Sequence, residues 1–326
     1  MNLSEIHARR QPGRAVTGMA AVLLPFDMDG RIAEDAYAAC LQETVAAGLT
    51  PAVNMDTGYV NLLTDSEKEH VLKLAQQTLQ GAPFLAGVYI EGQEGDLADL
   101  YRREIARIAR YGGTPILFQT GRLHSRPVGK VVETYAAAVA DVPVAYAFEL
   151  GQMFAPNGEI WRAEVAEEIM SIPQIKGMKH SSLDRVIELE RLALRDRVRP
   201  DFKIFTGNDL GIDMIEYGSD YLLGLAAFSP SKFAERDLLW QRQDPGYFAV
   251  ADALQLLGNI AFRPPVPAYK HSAAIFLNLL GKIPTSRTHP RSPKRPLWER
   301  EILQSCAERL GLLGPDLVFD MISRIR

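Results

Sequence analysis

Ile175-Lys176-Gly177-Met178-Lys179-His180-Ser181-Ser182-Leu183-Asp184 is the stretch on which the fold turns. A short run with strand character ends on Lys179 and passes at once into a polar turn, His180 to Asp184. Side chains alternate along a strand, so Lys176 and Lys179 point to opposite faces, and Lys176 takes the solvated one. A lysine closing a core strand is out of place unless the strand belongs to an α/β barrel, where the carboxyl ends of the strands carry the chemistry. Burial there disfavours the ammonium form and leaves an amine that can attack a carbonyl. The bland alternative is an ordinary solvated lysine.

Working outward, strand-like runs recur at Gly18–Phe26, Pro51–Met55, Phe84–Ile90, Pro115–Gln119, Pro143–Phe148, Ile175–Lys179, Phe202–Phe205 and Tyr221–Leu225. Helical periodicity fills the intervals at Glu34–Ala47, Asp65–Leu79, Asp96–Arg110, Val128–Ala140, Ala163–Ser171, Leu183–Leu194 and Leu210–Glu216. Alternating strands and helices predict parallel βαβ units. Eight such strands predict an α/β fold, a (β/α)8 TIM barrel, over an open doubly wound sheet. After Pro230 the character changes: Leu238–Gln241, Tyr247–Ile260, Lys270–Leu280 and Leu297–Leu312 read as helices, interrupted by a Pro- and Arg-rich stretch from Ile283 to Pro296. The expected organisation is an N-terminal polar extension over 1–15, the barrel over 16–240 and a C-terminal helical subdomain over 241–326.

Composition bounds the function. The chain has 326 residues, 47% hydrophobic and 23% charged, with a formal net charge of -4, which gives no reason to expect nucleic acid. Only Cys40 and Cys306 occur, which argues against a disulfide framework and for a reducing cytoplasm. Met1 to Arg14 is polar without an apolar core, so no secretory signal and no membrane partner are expected. The histidines lack metal-ligand spacing and no phosphate-binding glycine motif joins a strand to a helix, so neither a metal nor a cofactor is called for. Asp27-Met28-Asp29-Gly30 imitates the start of a calcium loop but lacks the closing glutamate and reads as a turn. Arg287, Arg291, Lys294 and Arg295 read as a solvated basic loop or a subunit contact.

Candidate site residues follow from the strand ends. Lys179 is the candidate nucleophile towards a 2-oxo carbonyl. Tyr146, taken to point inward from the fifth strand, is a candidate proton relay, with a core aromatic as the alternative. Asp56-Thr57-Gly58-Tyr59 precedes the cap sequence Thr64-Asp65-Ser66-Glu67. Its backbone N–H groups and the Thr57 hydroxyl can hold a substrate carboxylate, or the segment is only a turn. Asn208, Leu223 and Gly224 stand where the seventh and eighth strands end and complete the candidate binding set.

With those residues in hand, the chain resembles the dihydrodipicolinate synthase / N-acetylneuraminate lyase family of Schiff-base aldolases. Gly18-Met-Ala-Ala-Val-Leu-Leu-Pro-Phe26, Ile175 to Asp184, Thr206-Gly207-Asn208-Asp209, Gly218 to Pro230, and Pro265-Val266-Pro267 with Lys270 carry the resemblance, from about Gly18 to Leu312. It implies a homotetramer or homodimer of barrels that bind pyruvate or another 2-oxo acid as a lysine imine at Lys179. Tyr146 takes the family's tyrosine role if one residue is deleted after Pro143. Thr57 and Gly58 match the family's carboxylate-binding turn, whereas Asp56 and Tyr59 depart from it. An ionised Asp56 about 4 Å from a substrate carboxylate would cost roughly 4 kcal/mol at an effective permittivity near 20. Asp56 is then expected to be protonated, to point away, or to meet a hydroxyl or amine of the substrate. The Pro-Tyr-Tyr segment after strand four is replaced by Phe118-Gln119-Thr120-Gly121-Arg122, and Glu149-Leu150-Gly151-Gln152 lacks the family's arginine. Those departures point from aspartate semialdehyde towards a 2-keto-3-deoxy sugar acid, with aldolase or dehydratase chemistry both open. The alternatives are a dihydrodipicolinate synthase proper, or a catalytically lapsed barrel that binds a small metabolite.

Overall fold

The computed structural model describes residues 3–314. Met1 and Asn2 of the expected N-terminal extension and 315–326 of the expected C-terminal subdomain lie outside the described residues. Eight parallel strands close on themselves in sequence order: β1 (Gly18–Ala21), β2 (Thr50–Val53), β3 (Leu85–Val88), β4 (Thr114–Phe118), β5 (Ala145–Leu150), β6 (Ile175–Ser181), β7 (Lys203–Thr206) and β8 (Asp220–Leu223). The strands are short because each presents only a few alternating positions to a barrel interior that side chains fill.

Before the barrel comes α1 (Leu3–Ala8), and around it run α2 (Glu34–Ala46), α3 (Asp65–Leu79), α4 (Leu97–Arg110), α5 (Val128–Val139), α6 (Ala163–Ser171), α7 (Arg185–Val198) and α8 (Pro230–Gln241). Their starts are written in the sequence. Thr64 and Glu67 form a reciprocal capping box on α3, Asp184 accepts from the backbone N–H groups of Val186 and Ile187 on α7, and Pro230 opens α8. The segment before β1 is tied to the amino-terminal end of the barrel by Arg9 to Asp196, Arg10 to Glu216 and Arg14 to Asp220.

Three local readings are corrected. Strand six does not end on Lys179 but continues through His180 and Ser181, which pair with β5 and keep the lysine inside the ladder. The interval after strand seven holds a tight 3-10 helix at Ile212–Tyr217, since Lys203–Thr206 and Asp220–Leu223 leave no room for a longer one. The helix read at Leu238–Gln241 is the end of α8, which starts at Pro230 and packs on α2 and β1.

Beyond α8 lie α9 (Gly246–Ala261), α10 (Tyr269–Leu279) and α11 (Glu299–Arg309). The stretch between α10 and α11 returns to the barrel mouth: Thr285 Oγ1 donates to the Phe26 carbonyl at 2.7 Å, and His289 packs against Phe26 and Tyr59. Arg295 is not solvated. It is buried and donates to the carbonyls of Ala261 and Arg263 at 2.7 Å each, fastening this stretch to the end of α9. No helix among the described residues is long and apolar enough to cross a membrane.

Candidate active site

Lys179 owes its position to strand alternation. Gly177, Lys179 and Ser181 of β6 share one face, opposite Met178 and His180. His180 is directed away from the barrel axis, where its Nδ1 lies 3.1 Å from Glu149 and its Nε2 2.8 Å from Ser182 Oγ. Arg191 of α7 clasps the same Glu149 carboxylate through two nitrogens, at 2.9 and 2.8 Å. Burial works to raise the Glu149 pKa, but Arg191 and His180 outweigh it and hold the group at about 2. This ion cluster locks β5 and β6 to α7, so their inward residues are held in register.

On the inner face Lys179 pairs laterally with Phe148 of β5 and Phe205 of β7. Its ammonium nitrogen stands 4.4 Å from the centre of the Phe148 ring, which itself packs edge-on against Phe118 at 4.7 Å. Burial lowers the Lys179 pKa below the ordinary lysine value, and the carboxylates of Asp209 and Asp56 oppose that without cancelling it. Asp209 is pushed the other way by its own burial, while it accepts from the Leu225 backbone N–H at 2.8 Å. The result is an amine closer to deprotonation than a surface lysine, flanked by aromatic rings on one side.

The other side is polar and comes from two distant parts of the chain. Asp56 and Thr57 lie in a buried 3-10 turn, Asp56–Gly58, after β2. Asp56 has partners within the chain that the sequence reading did not include. Its two oxygens accept from Lys270 Nζ at 2.9 and 3.0 Å, and Oδ2 also accepts from Tyr269 Oη at 3.0 Å. Thr57 Oγ1 lies 2.8 Å from the same tyrosine hydroxyl. The protein thus supplies its own counter-ion for the aspartate. Lys270 carries only 4% side-chain exposure, so its charge is stabilised by Asp56 and not by water.

Two glycines keep this arrangement possible. A Cβ on Gly207 would lie 2.8 Å from Lys179 Cε and 1.9 Å from Ser181 Oγ. One on Gly224 would lie 3.0 Å from the Tyr269 ring and 3.3 Å from Thr57 Oγ1, so Gly224 lets α10 reach the turn after β2.

The remaining candidates divide. Tyr59 sits at φ 61° with its ring buried against Phe26, and its hydroxyl has no hydrogen-bond partner among the described residues. Leu223 is buried at the end of β8. Asn208 Oδ1 accepts from the Leu210 N–H at 3.1 Å and so shapes the turn after β7. Tyr146 is not the β5 residue paired with Lys179, and its ring packs edge-on at 5.5 Å against Phe205, the β7 partner of that lysine. Tyr146 pairs with Gly177, which pairs with Lys203, and Lys203 Nζ reaches Asp220 at the start of β8 at 2.9 Å. That layer lies two residues nearer the amino-terminal end of β6 than Lys179. The residue of β5 level with the lysine is Phe148, which has no proton to give.

Sequence reasoning missed Tyr269, Asp209 and Ser181 as site groups and used Lys270 only as a marker of the C-terminal helices. Ser181 Oγ is buried, has no hydrogen-bond partner among the described residues, and lies at the same Gly207 gap as the Lys179 side chain. The available signal was Tyr269-Lys270 itself, two polar residues opening a helix that continues as Ala273-Ala274-Ile275-Phe276-Leu277. An open groove of about 910 Å³ near Phe26, Glu34 and His70 includes neither Lys179 nor its polar neighbours.

The fold and this mouth define a class: a (β/α)8 barrel with a buried lysine on the sixth strand and further helices after the barrel. No protein-family model matches the chain. It is 28% identical over 216 residues, 64% of this chain and 67% of the relative, to the 4-hydroxy-tetrahydrodipicolinate synthase of Xylella fastidiosa. Among solved structures it is similar to the dihydrodipicolinate synthase of Thermotoga maritima, with TM-score 0.77, 17% identity, and 92% and 99% of the two chains covered. It is also similar to an E. coli K12 prophage protein of the dihydrodipicolinic acid synthase family in complex with pyruvate, with TM-score 0.78, 14% identity, and 91% and 99% coverage. The chain is thus distantly similar in sequence to the Xylella fastidiosa synthase and shares the fold of these solved structures.

Proposed function

We propose that this protein is a lyase that binds a 2-oxo acid as an imine on Lys179 and then makes or breaks a bond next to the former carbonyl carbon. The observation that carries the reading is the buried Lys179 amine, lowered in basicity at the carboxyl end of β6, in a chain related to dihydrodipicolinate synthases. An amine of that kind adds to the carbonyl, and the iminium left after loss of water withdraws electrons from the adjacent carbon. Neighbouring structures complexed with pyruvate support a 2-oxo acid as the partner.

The substrate favoured here is a 2-keto-3-deoxy sugar acid. The residues after β5, Gly151 and Gln152, offer no arginine for a second carboxylate. The unpartnered Tyr59 and Ser181 hydroxyls are suited to a polyhydroxylated chain. Incubation with a panel of such acids tests this: aldol cleavage releases pyruvate, and dehydration yields a new 2-oxo acid without it. Neither product from any member of the panel would refute this assignment. The dihydrodipicolinate synthase reaction itself is the second reading, favoured by the name of the Xylella fastidiosa relative. Consumption of pyruvate with aspartate semialdehyde would establish it.

A further inference from the structure

If Lys179 forms an imine, protons have to move between its nitrogen and the departing oxygen, and the strand-five residue level with it is a phenylalanine. Counted from ammonium and ketone to iminium and water, two protons leave nitrogen and both end on oxygen. The N–C bond forms as the carbonyl π pair moves to oxygen. The C–O bond then breaks and that oxygen leaves as water. No net proton is taken up, so what the site must provide is a path.

One continuous polar path runs through the mouth. Thr57 Oγ1 lies 2.8 Å from Tyr269 Oη, which lies 3.0 Å from Asp56 Oδ2, and Lys270 Nζ closes the far end at 2.9 Å. Every member is buried. The tyrosine ring is fixed independently of the path: it stacks on Phe262 at 4.3 Å with an interplanar angle of 17°, and Gly224 clears the space beside it. Tyr146 has no part in this path, because its layer is that of Gly177 and Lys203.

We propose that Tyr269, carried on α10 beyond the barrel, is the positioning residue that links Thr57 to Asp56 and relays protons during imine formation at Lys179. The proposal rests on the imine reading above. Twice in the sequence, once as the N–C bond forms and once as the C–O bond breaks, Thr57 delivers a proton to the oxygen, Tyr269 refills Thr57, and the Asp56 carboxylate, held by Lys270, takes up a proton released from nitrogen and returns it to Tyr269. The helical segment after the barrel thereby completes the site within one chain.

The test follows imine formation with pyruvate by quenching with borohydride at set times and measuring the reduced adduct on Lys179. Tyr269→Phe keeps the ring and its stack and removes only the hydroxyl. Its adduct is expected to reach the wild-type endpoint at a rate about 100-fold or more lower. The pyruvate concentration for half-maximal rate should stay within roughly threefold, whereas structural damage would move both quantities. Thr57→Val cuts the same path one atom further on, and the double variant should be no slower than the slower single one. Tyr146→Phe should change the rate by less than about threefold. A wild-type rate in Tyr269→Phe, or a large loss in Tyr146→Phe, overturns the proposal. If Tyr269→Phe folds poorly, a wild-type rate in Thr57→Val overturns it equally. Absence of any adduct in the unaltered protein would instead refute the imine reading itself.

Discussion

Replacing Lys270 by methionine keeps the length and apolar stem of the side chain and removes only the charge that faces Asp56. Both oxygens of Asp56 now accept from that ammonium at 2.9 and 3.0 Å, and after the change the Tyr269 hydroxyl at 3.0 Å is the one remaining side-chain donor. Asp56 and Lys270 are 7% and 3% exposed, so water does not replace the lost partner. Breaking a buried pair from one side costs about 3–5 kcal/mol, because the other charge is left without compensation. At about 2 °C per kcal/mol for a chain of this size, the unfolding midpoint should fall by roughly 6–10 °C. Thermal unfolding followed by circular dichroism measures it. The double variant Asp56→Asn with Lys270→Met removes both charges and should regain at least half of the loss. A midpoint within about 2 °C of the wild type in Lys270→Met alone would refute the claim that Lys270 is the counter-ion of Asp56.

Gly207→Ala should abolish borohydride trapping by driving a methyl group into Lys179 Cε and Ser181 Oγ, at about 1–3 kcal/mol of stability; trapping at the wild-type rate would contradict the crowding. Because burial lowers the Lys179 pKa, the rate of imine formation should rise with pH and level off well below the ordinary lysine value of 10.5; a rate still climbing above that value would be the contrary result. Two buried glutamates should act on stability in opposite senses. The folded-state pKa of Glu149, depressed to about 2, contributes stability that is present above the unfolded value of 4.5 and is lost as pH falls from there towards 2. Burial raises Glu188 to about 7, so its contribution is present below 4.5 and is lost as pH rises through 7. Denaturant titrations at pH 5 and pH 8 should therefore find Glu188→Gln gaining on the wild type at the higher pH, and Glu149→Gln destabilised at both.

The barrel was legible because each strand-forming run was short, apolar and followed by a helix with its own start signal, as at Thr64 and Asp184. Lys179 stood out for a simpler reason: a second lysine in one short strand, on the face opposite Lys176, points inward. What escaped was register. Tyr146 and Phe148 share one face of β5, and which of them stands level with Lys179 depends on a pairing that shifts by a residue at Ala145 and Tyr146. Local sequence contains no record of that shift. The partner of Asp56 escaped because it lies 214 positions away, on a helix whose approach depends on Gly224 lacking a side chain. Arg295 was misread for the same reason, since its acceptors at Ala261 and Arg263 are carbonyls that only the folded chain assembles.

Two lysines are buried at the barrel mouth, Lys179 and Lys270, and the central claim assigns the chemistry to the first. The most direct measurement is peptide mapping of the protein after borohydride reduction in the presence of pyruvate. The expected result is one reduced pyruvyl group on the peptide containing Lys179, with Lys270 unmodified and no adduct in Lys179→Ala. An adduct on Lys270, or none on either lysine across a broad panel of 2-oxo acids, would contradict it.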